Sequence, residues 1–350
     1  MVIFMVKKVV KILIVIFFSS IHGDTINNSI NSIPLIDQKT DNYSFLIVGH
    51  AYGSPKLKNS LYPTSSLLNG INKINESGAK FMVLLGDNYW KSDSIRISNF
   101  KNSFLSKVKL PVFNAVGNHD LWGDIKYEHH FGKTFYSFIY QNDVFIILNS
   151  EMYFQEQIEF LKYQLKKIKG NQSLKRLFLF THKLLFVIDD QKFVNILNRI
   201  NSKEGYDTKS RFSASLKDFV KNVNLPTVWF AGDIGMENSL PLFYDYDPKL
   251  KIEYVATGLG GIQTDNMLVA LIDTFSYKPS YQALSLTGKS LNALKNYNIK
   301  YWKSAFKNKN NNTNNHFSIG EYLTNNKYLL YFLLFASSII FLIIRLFIFK

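Results

Sequence analysis

The chain has 350 residues, 47% of them hydrophobic and 19% charged, which supplies a sizeable core and excludes a disordered or fibrous protein. It contains no cysteine, so disulfides, cysteine zinc sites, thiol nucleophiles and iron–sulfur clusters are all ruled out. A net charge of +15 favours anionic partners, although a merely solvated surface gives the same balance.

Residues 1–23 read as an export signal. Lys7, Lys8 and Lys11 precede a short apolar run at 12–18, and Ser19, Ser20 and Gly23 follow it. Residues 24–41 form a polar leader, and 42–304 make one folded unit without internal repeats. Residues 305–327 hold the run KNKNNNTNN, which cannot bury apolar area and reads as a flexible spacer. Residues 328–349 carry a single charge, Arg345. At ~1.5 Å per helical residue they can cross a hydrocarbon core of ~30 Å. Arg345 and Lys350 at the tip place the folded unit outside the cytoplasm, while Lys327 on the other flank opposes that orientation.

Within the folded unit, short apolar runs stop abruptly at glycine and polar residues. The first ends at Gly49-His50. A helical stretch at 65–76 leads to the second, which ends at Gly86-Asp87, and a helix at 98–107 leads to the third, which ends at Gly117-Asn118-His119-Asp120. A hairpin is expected at 134–149, turning at 141–143. Further strands then end at His182 and at Gly232-Asp233. Runs of this kind alternating with helices predict strands buried on both faces, and such sheets bind ligands beyond their carboxyl ends. The hairpin and the later runs at 251–257, 267–274 and 281–286 suit a second sheet. Gly258-Leu-Gly-Gly261 reads as a tight turn. His129 and His130 belong on the surface, and Tyr89 and Trp90 suggest an aromatic wall over a substrate.

Gly86-Asp87-Asn88, Gly117-Asn118-His119-Asp120 and a strand-terminal His182 follow the order and spacing of the calcineurin-like metallophosphoesterases. From Phe45 to Gly261 the chain resembles this family, its purple acid phosphatase branch above all. The resemblance implies an α/β fold, a two-sheet αββα sandwich. It also implies a metal centre of one or two divalent or trivalent ions (Fe, Mn or Zn) that hydrolyses phosphate esters. Two such ions neutralise the anionic substrate and bring the pKa of a bound water down towards ~7. On this reading Asp87 bridges the ions, Asn118 and His182 are terminal ligands, and His119 meets the leaving alkoxide or a phosphoryl oxygen. Asp120 would hold the His119 tautomer.

The family's opening Asp-x-His corresponds here to His50-Ala51-Tyr52, and its closing Gly-His-x-His to Gly232-Asp233-Ile234-Gly235. A histidine and an aspartate have thus exchanged places, and both remain able to bind metal. The tyrosine that ligates ferric iron in purple acid phosphatases is replaced by Trp90, with Tyr52 as a possible substitute donor. The metal ligands expected are therefore His50, Asp87, Asn118, His182 and Asp233. One ion position keeps four donors (Asp87, Asn118, His182 and Asp233), and the other is impoverished. The expected protein is a membrane-anchored, extracytoplasmic, monomeric phosphoesterase without nucleic-acid partners. The competing expectation is a non-catalytic relative that binds anionic glycan or lipid phosphates.

Overall fold

Phenylalanines recur at alternate positions of the strands, and this pattern builds the centre of the protein. Phe45, Phe81 and Phe113 project from one sheet towards Phe138, Phe145, Phe178, Phe180 and Phe230 of another, all of them buried. Their rings meet in stacked and edge-to-face pairs, such as Phe45 on Phe145 at 5.5 Å and Phe81 on Phe145 at 5.3 Å between centroids. The computed structural model describes residues 25–26, 29–54, 56–152, 155–188, 190–193, 206–234 and 241–305. It divides into a unit of residues 1–302, which holds both sheets, and a unit of residues 303–350.

In chain order the strands are β1 (Thr25–Ile26), β2 (Leu35–Ile36), β3 (Asn42–Val48), β4 (Met82–Leu84), β5 (Val112–Asn114), β6 (Tyr136–Tyr140) and β7 (Asp143–Ile147). They continue with β8 (Arg176–Thr181), β9 (Thr227–Ala231), β10 (Leu242–Asp247), β11 (Ile252–Thr257), β12 (Asn266–Asp273) and β13 (Ser280–Ser285). One sheet has the order β13-β12-β3-β4-β5 and the other β10-β11-β9-β8-β7-β6, while β1 and β2 pair alone. Strands β3, β4 and β5 are parallel, as are β7, β8, β9 and β11. The outer face of the five-stranded sheet presents Leu46, Val48, Met82, Leu84 and Val112 to Leu67, Ile74, Ile97, Phe100 and Phe104 of the connecting helices. On the other sheet Phe186 packs against Trp229 and Tyr254.

The two sheets draw their strands differently from expectation. The hairpin β6–β7 and strand β11 join β8 and β9, whereas β12 and β13 extend the sheet begun by β3. The helix expected at 65–76 is two short helices, Ser65–Asn69 and Ile71–Asn75, interrupted at Gly70. The helix expected at 98–107 begins earlier, at Ser94 with Asp93 accepting the Arg96 N–H as its cap, and ends in a π-helical turn, Lys101–Leu105. Part of the leader is held against the domain. Asn31 accepts the Val112 N–H (3.0 Å) and donates to the Leu110 carbonyl (2.8 Å), and Ile30 donates to the Val112 carbonyl (2.7 Å), which covers the edge of β5.

At the end of the sheets that holds the N-terminus of β3, a buried ion pair fastens the two layers. Arg176 Nε meets Asp143 Oδ1 at 2.7 Å, Tyr43 donates to Asp143 Oδ2 at 2.5 Å, and Arg176 also reaches the Asp273 and Ser276 carbonyls. A cleft of about 680 Å³ at this end is lined by Asn42, Tyr43, Lys80, Leu271 and Ser280 and contains none of the candidate ligands. The expected signal (1–23), the spacer (305–327) apart from its first residue, and the membrane span (328–349) lie outside the described residues, as does Gly235. Among the described residues no helix is long and apolar enough to cross a membrane.

Candidate metal centre

The carboxyl ends of β3, β4, β5, β8 and β9 meet at the other end of the sandwich, and each delivers its polar residues there. Parallel neighbours bring the ends of β3, β4 and β5 level, and β8 and β9 do the same in the facing sheet. Backbone bonds then tie the loops together. The His50 N–H donates to the Gly86 carbonyl (3.2 Å), Tyr52 to Asp87 (3.2 Å), and both Gly232 and Asp233 to the His182 carbonyl (2.8 and 2.9 Å).

Two of the candidate ligands sit in the left-handed backbone region, His50 with φ 49° and Asp87 with φ 55°. Such conformations cost on the order of 1–3 kcal/mol each in a non-glycine residue and persist where surrounding contacts enforce them. Gly117 is needed for a different reason. A Cβ there would lie 2.2 Å from Asp87 Oδ1, so only glycine lets the β5 loop approach the carboxylate.

His50 Nδ1 and His182 Nε2 each lie 3.3 Å from Asp87 Oδ2, and His182 Nε2 lies 3.7 Å from Asp233 Oδ1. His182 donates its Nδ1–H to the Leu85 carbonyl (2.7 Å), so Nε2 is the ring nitrogen that faces the two carboxylates. Both His50 Nε2 and His182 Nε2 are buried without a hydrogen-bond partner. Donor atoms of His50, Asp87 and Asp233 all lie within 4.8 Å of one another, on the scale of one coordination sphere. An orphaned imidazole nitrogen beside two buried carboxylates fits a divalent cation, and these residues together would hold one.

The protonation energetics agree with a site built for positive charge. Burial by itself would raise the pKa of Asp87, but the nearby charges of His182 and His50 outweigh it and hold the carboxyl well below the usual range. Burial is likewise overcome at Asp233 by Lys183 and His182, which lower it. Burial would depress His182, yet Asp87 and Asp233 push it up to about 9.

Asn118, the expected amide ligand, has its Oδ1 engaged by Lys183 Nζ at 2.9 Å, and the same ammonium lies 3.0 Å from Asp233 Oδ2. Lys183 is 2% exposed, and against its burial the charges of Asp233, Glu151 and Asp87 raise its pKa above the ordinary lysine value. Reading the strand end at His182 stops one residue short of this group. The available signal is its neighbourhood, since Lys183 interrupts a run from Leu177 to Ile188 that is otherwise almost wholly apolar and buried. A lysine so placed requires an anionic partner.

His119 lies beside the cluster, with its backbone N–H on Asp87 Oδ1 (3.1 Å). Burial lowers its pKa. Its ring Nδ1 donates to the Trp90 carbonyl (2.6 Å), which corrects the expectation for Asp120. The Asp120 carboxylate instead accepts the backbone N–H groups of Asp87 (3.0 Å), Asn88 (2.9 Å) and Gly117 (3.0 Å), together with the Asn88 amide. It fastens the β4 loop to the β5 loop and acts as a positioning residue, and burial followed by Asp87 pushes its pKa up to about 7.

The aromatic wall is also composed differently. Tyr89 is buried against Phe100 and Phe131, whereas Trp90, Tyr52 and Trp122 surround the His119 ring. Tyr52 is buried and lies 4.8 Å from the His50 ring, centroid to centroid. His129 and His130 are exposed, and 258–261 forms the turn between β11 and β12, with Gly261 donating to Asp265.

Comparison with solved structures aligns the chain with a purple acid phosphatase from yellow lupin (Lupinus luteus) seeds at 12% identity and a TM-score of 0.48, covering 75% of this chain and 54% of that one. The chain thus spans about half the length of the lupin protein. A dimetal phosphatase from Danio rerio aligns at 10% identity and a TM-score of 0.47, over 70% of this chain and 96% of that one. No curated protein matches by sequence. The family model described as calcineurin-like phosphoesterase matches residues 58–258, more than half of the chain, including Asp87, Asn118, His119, His182 and Asp233. On that match the chain belongs to the calcineurin-like phosphoesterase family.

Proposed function

We propose that this protein is a metal-dependent phosphoesterase that hydrolyses phosphate esters at the carboxyl ends of its strands. The supporting observation is the gathering of His50, Asp87 and Asp233 within 4.8 Å, beside His182 and with the His119 backbone N–H on Asp87. A divalent ion bound there supplies positive charge for a phosphoryl oxygen and a water of lowered pKa. Because Nδ1 of His119 is committed to Trp90, Nε2 is the end that meets substrate, binding a phosphoryl oxygen or passing a proton to the leaving alkoxide. Trp90 and Trp122 flank that ring and fix its plane. Lys183 adds a cation held rigidly by Asn118 and Asp233.

The test is hydrolysis of chromogenic phosphate mono- and diesters by the full-length chain in detergent. Activity should disappear with a chelator, return with Mn²⁺, Zn²⁺ or iron, and fall at least about 100-fold in Asp87→Asn. A metal-loaded protein inert towards both ester classes would overturn the reading.

The engagement of Asn118 by Lys183 favours a second reading, a non-catalytic relative that binds anionic glycan or lipid phosphates. Binding that survives chelation and Asn118→Ala would select it. The charge pattern of 1–23 and the apolar run at 328–349 support an extracytoplasmic domain on a C-terminal anchor. Protease accessibility of the domain on intact cells, with the chain in the membrane fraction, tests that placement.

A further inference from the structure

The four donors that promise the better ion position in the sequence are Asp87, Asn118, His182 and Asp233, and the structure gives two of them to Lys183. Its Nζ donates to Asn118 Oδ1 at 2.9 Å and pairs with Asp233 Oδ2 at 3.0 Å. The residue is fixed along its length. Its backbone N–H donates to Ser150 Oγ (2.9 Å), its carbonyl accepts from Thr181 Oγ1 (2.9 Å), and the side chain is buried. Asn118 has a single carbonyl oxygen, and an ammonium and a metal ion at bonding distance would crowd it, whereas Asp233 meets Lys183 through Oδ2 and keeps Oδ1 on the side of His182 for an ion. The asparagine position of a dinuclear centre therefore does not fit a second ion here.

We propose that the Lys183 ammonium replaces one metal ion of the dinuclear centre, so that the chain loads a single divalent ion at the His50, Asp87 and Asp233 cluster and uses a built-in cation for the other position. This rests on the metal-dependent reading above. An ammonium has three N–H donors, of which two are directed at Asn118 and Asp233, and on this proposal the third meets a phosphoryl oxygen. The centre thereby keeps its positive charge while losing one exchangeable ion.

The test is ion counting on the full-length chain, stripped of metal, loaded with excess Mn²⁺ and desalted. Elemental analysis should find one Mn²⁺ per wild-type chain and two per Lys183→Ala chain. Electron paramagnetic resonance should show an isolated ion in the wild type and a spin-coupled pair in the variant. Two ions in the wild type, or one in both proteins, would overturn the inference and leave the hydrolase reading standing. No ion in either protein would remove both. Should Lys183→Ala fail to fold by circular dichroism, the wild-type count decides alone, one ion supporting the substitution and two refuting it.

Discussion

Asp120 offers the sharpest test of how the site is held together. Its carboxylate accepts three backbone N–H groups, from Asp87, Asn88 and Gly117, all within 3.0 Å and buried. Asp120→Ala leaves those donors without a partner, at about 1–3 kcal/mol each. Allowing for relaxation and entry of water, the loss should be about 3–6 kcal/mol, a large share of the ~5–15 kcal/mol that stabilises a typical domain. Asp120→Asn retains one acceptor oxygen and should lose roughly half as much. Urea unfolding of the metal-free protein, followed by circular dichroism, measures both. Mn²⁺ affinity should fall along with stability, because the ligand Asp87 sits on one of the loops that Asp120 joins. A variant within about 1 kcal/mol of wild type, altered only in its pH–rate profile, would instead return Asp120 to the role of orienting His119 and refute the positioning account.

Other consequences follow from residues elsewhere in the sandwich. Gly117→Ala places a methyl group 2.2 Å from Asp87 Oδ1 and should weaken Mn²⁺ binding at least about tenfold by calorimetry. Asp143→Ala strands the buried Arg176 charge and should cost about 3–5 kcal/mol in urea unfolding, while the metal stoichiometry of the folded protein stays as in wild type. Burial raises the pKa of Glu253 against the Tyr281 hydrogen bond, so the folded chain keeps a proton that the unfolded chain has already released. Stability attributable to Glu253 is therefore present below the ordinary glutamate pKa and falls as pH rises from there through the raised value. Glu253→Gln should flatten that part of a plot of Tm against pH.

The parallel strands are legible in the sequence because burial on both faces forces continuous apolar runs, and the chain must turn polar where the sheet ends. That is why His50, Asp87, Asn118, His182 and Asp233 stand out before any coordinates. What the runs do not carry is which strands pair. The hairpin β6–β7 and strands β12 and β13 have similar composition, and their division between the sheets depends on contacts far apart in the chain. Strand β10 escapes notice because Tyr244, Asp245, Tyr246 and Asp247 give it the charged, half-exposed character of an edge. Lys183 escapes for the opposite reason. A lysine is read as solvated unless its neighbours are weighed, and here both flanks are buried. The role of Asp120 lies in backbone N–H groups, which side-chain motifs do not display.

The central claim is that residues from four strand ends, those of β3, β4, β8 and β9, grip a cation at one rim of the sandwich. Anomalous diffraction from crystals of the Mn²⁺-loaded chain, recorded at the manganese edge, tests it most directly. The account predicts a peak at bonding distance, about 2.0–2.3 Å, from Asp87 and from donors of His50, Asp233 or His182, with Lys183 still on Asn118. A peak elsewhere in the molecule, or none in a fully loaded crystal, would contradict it.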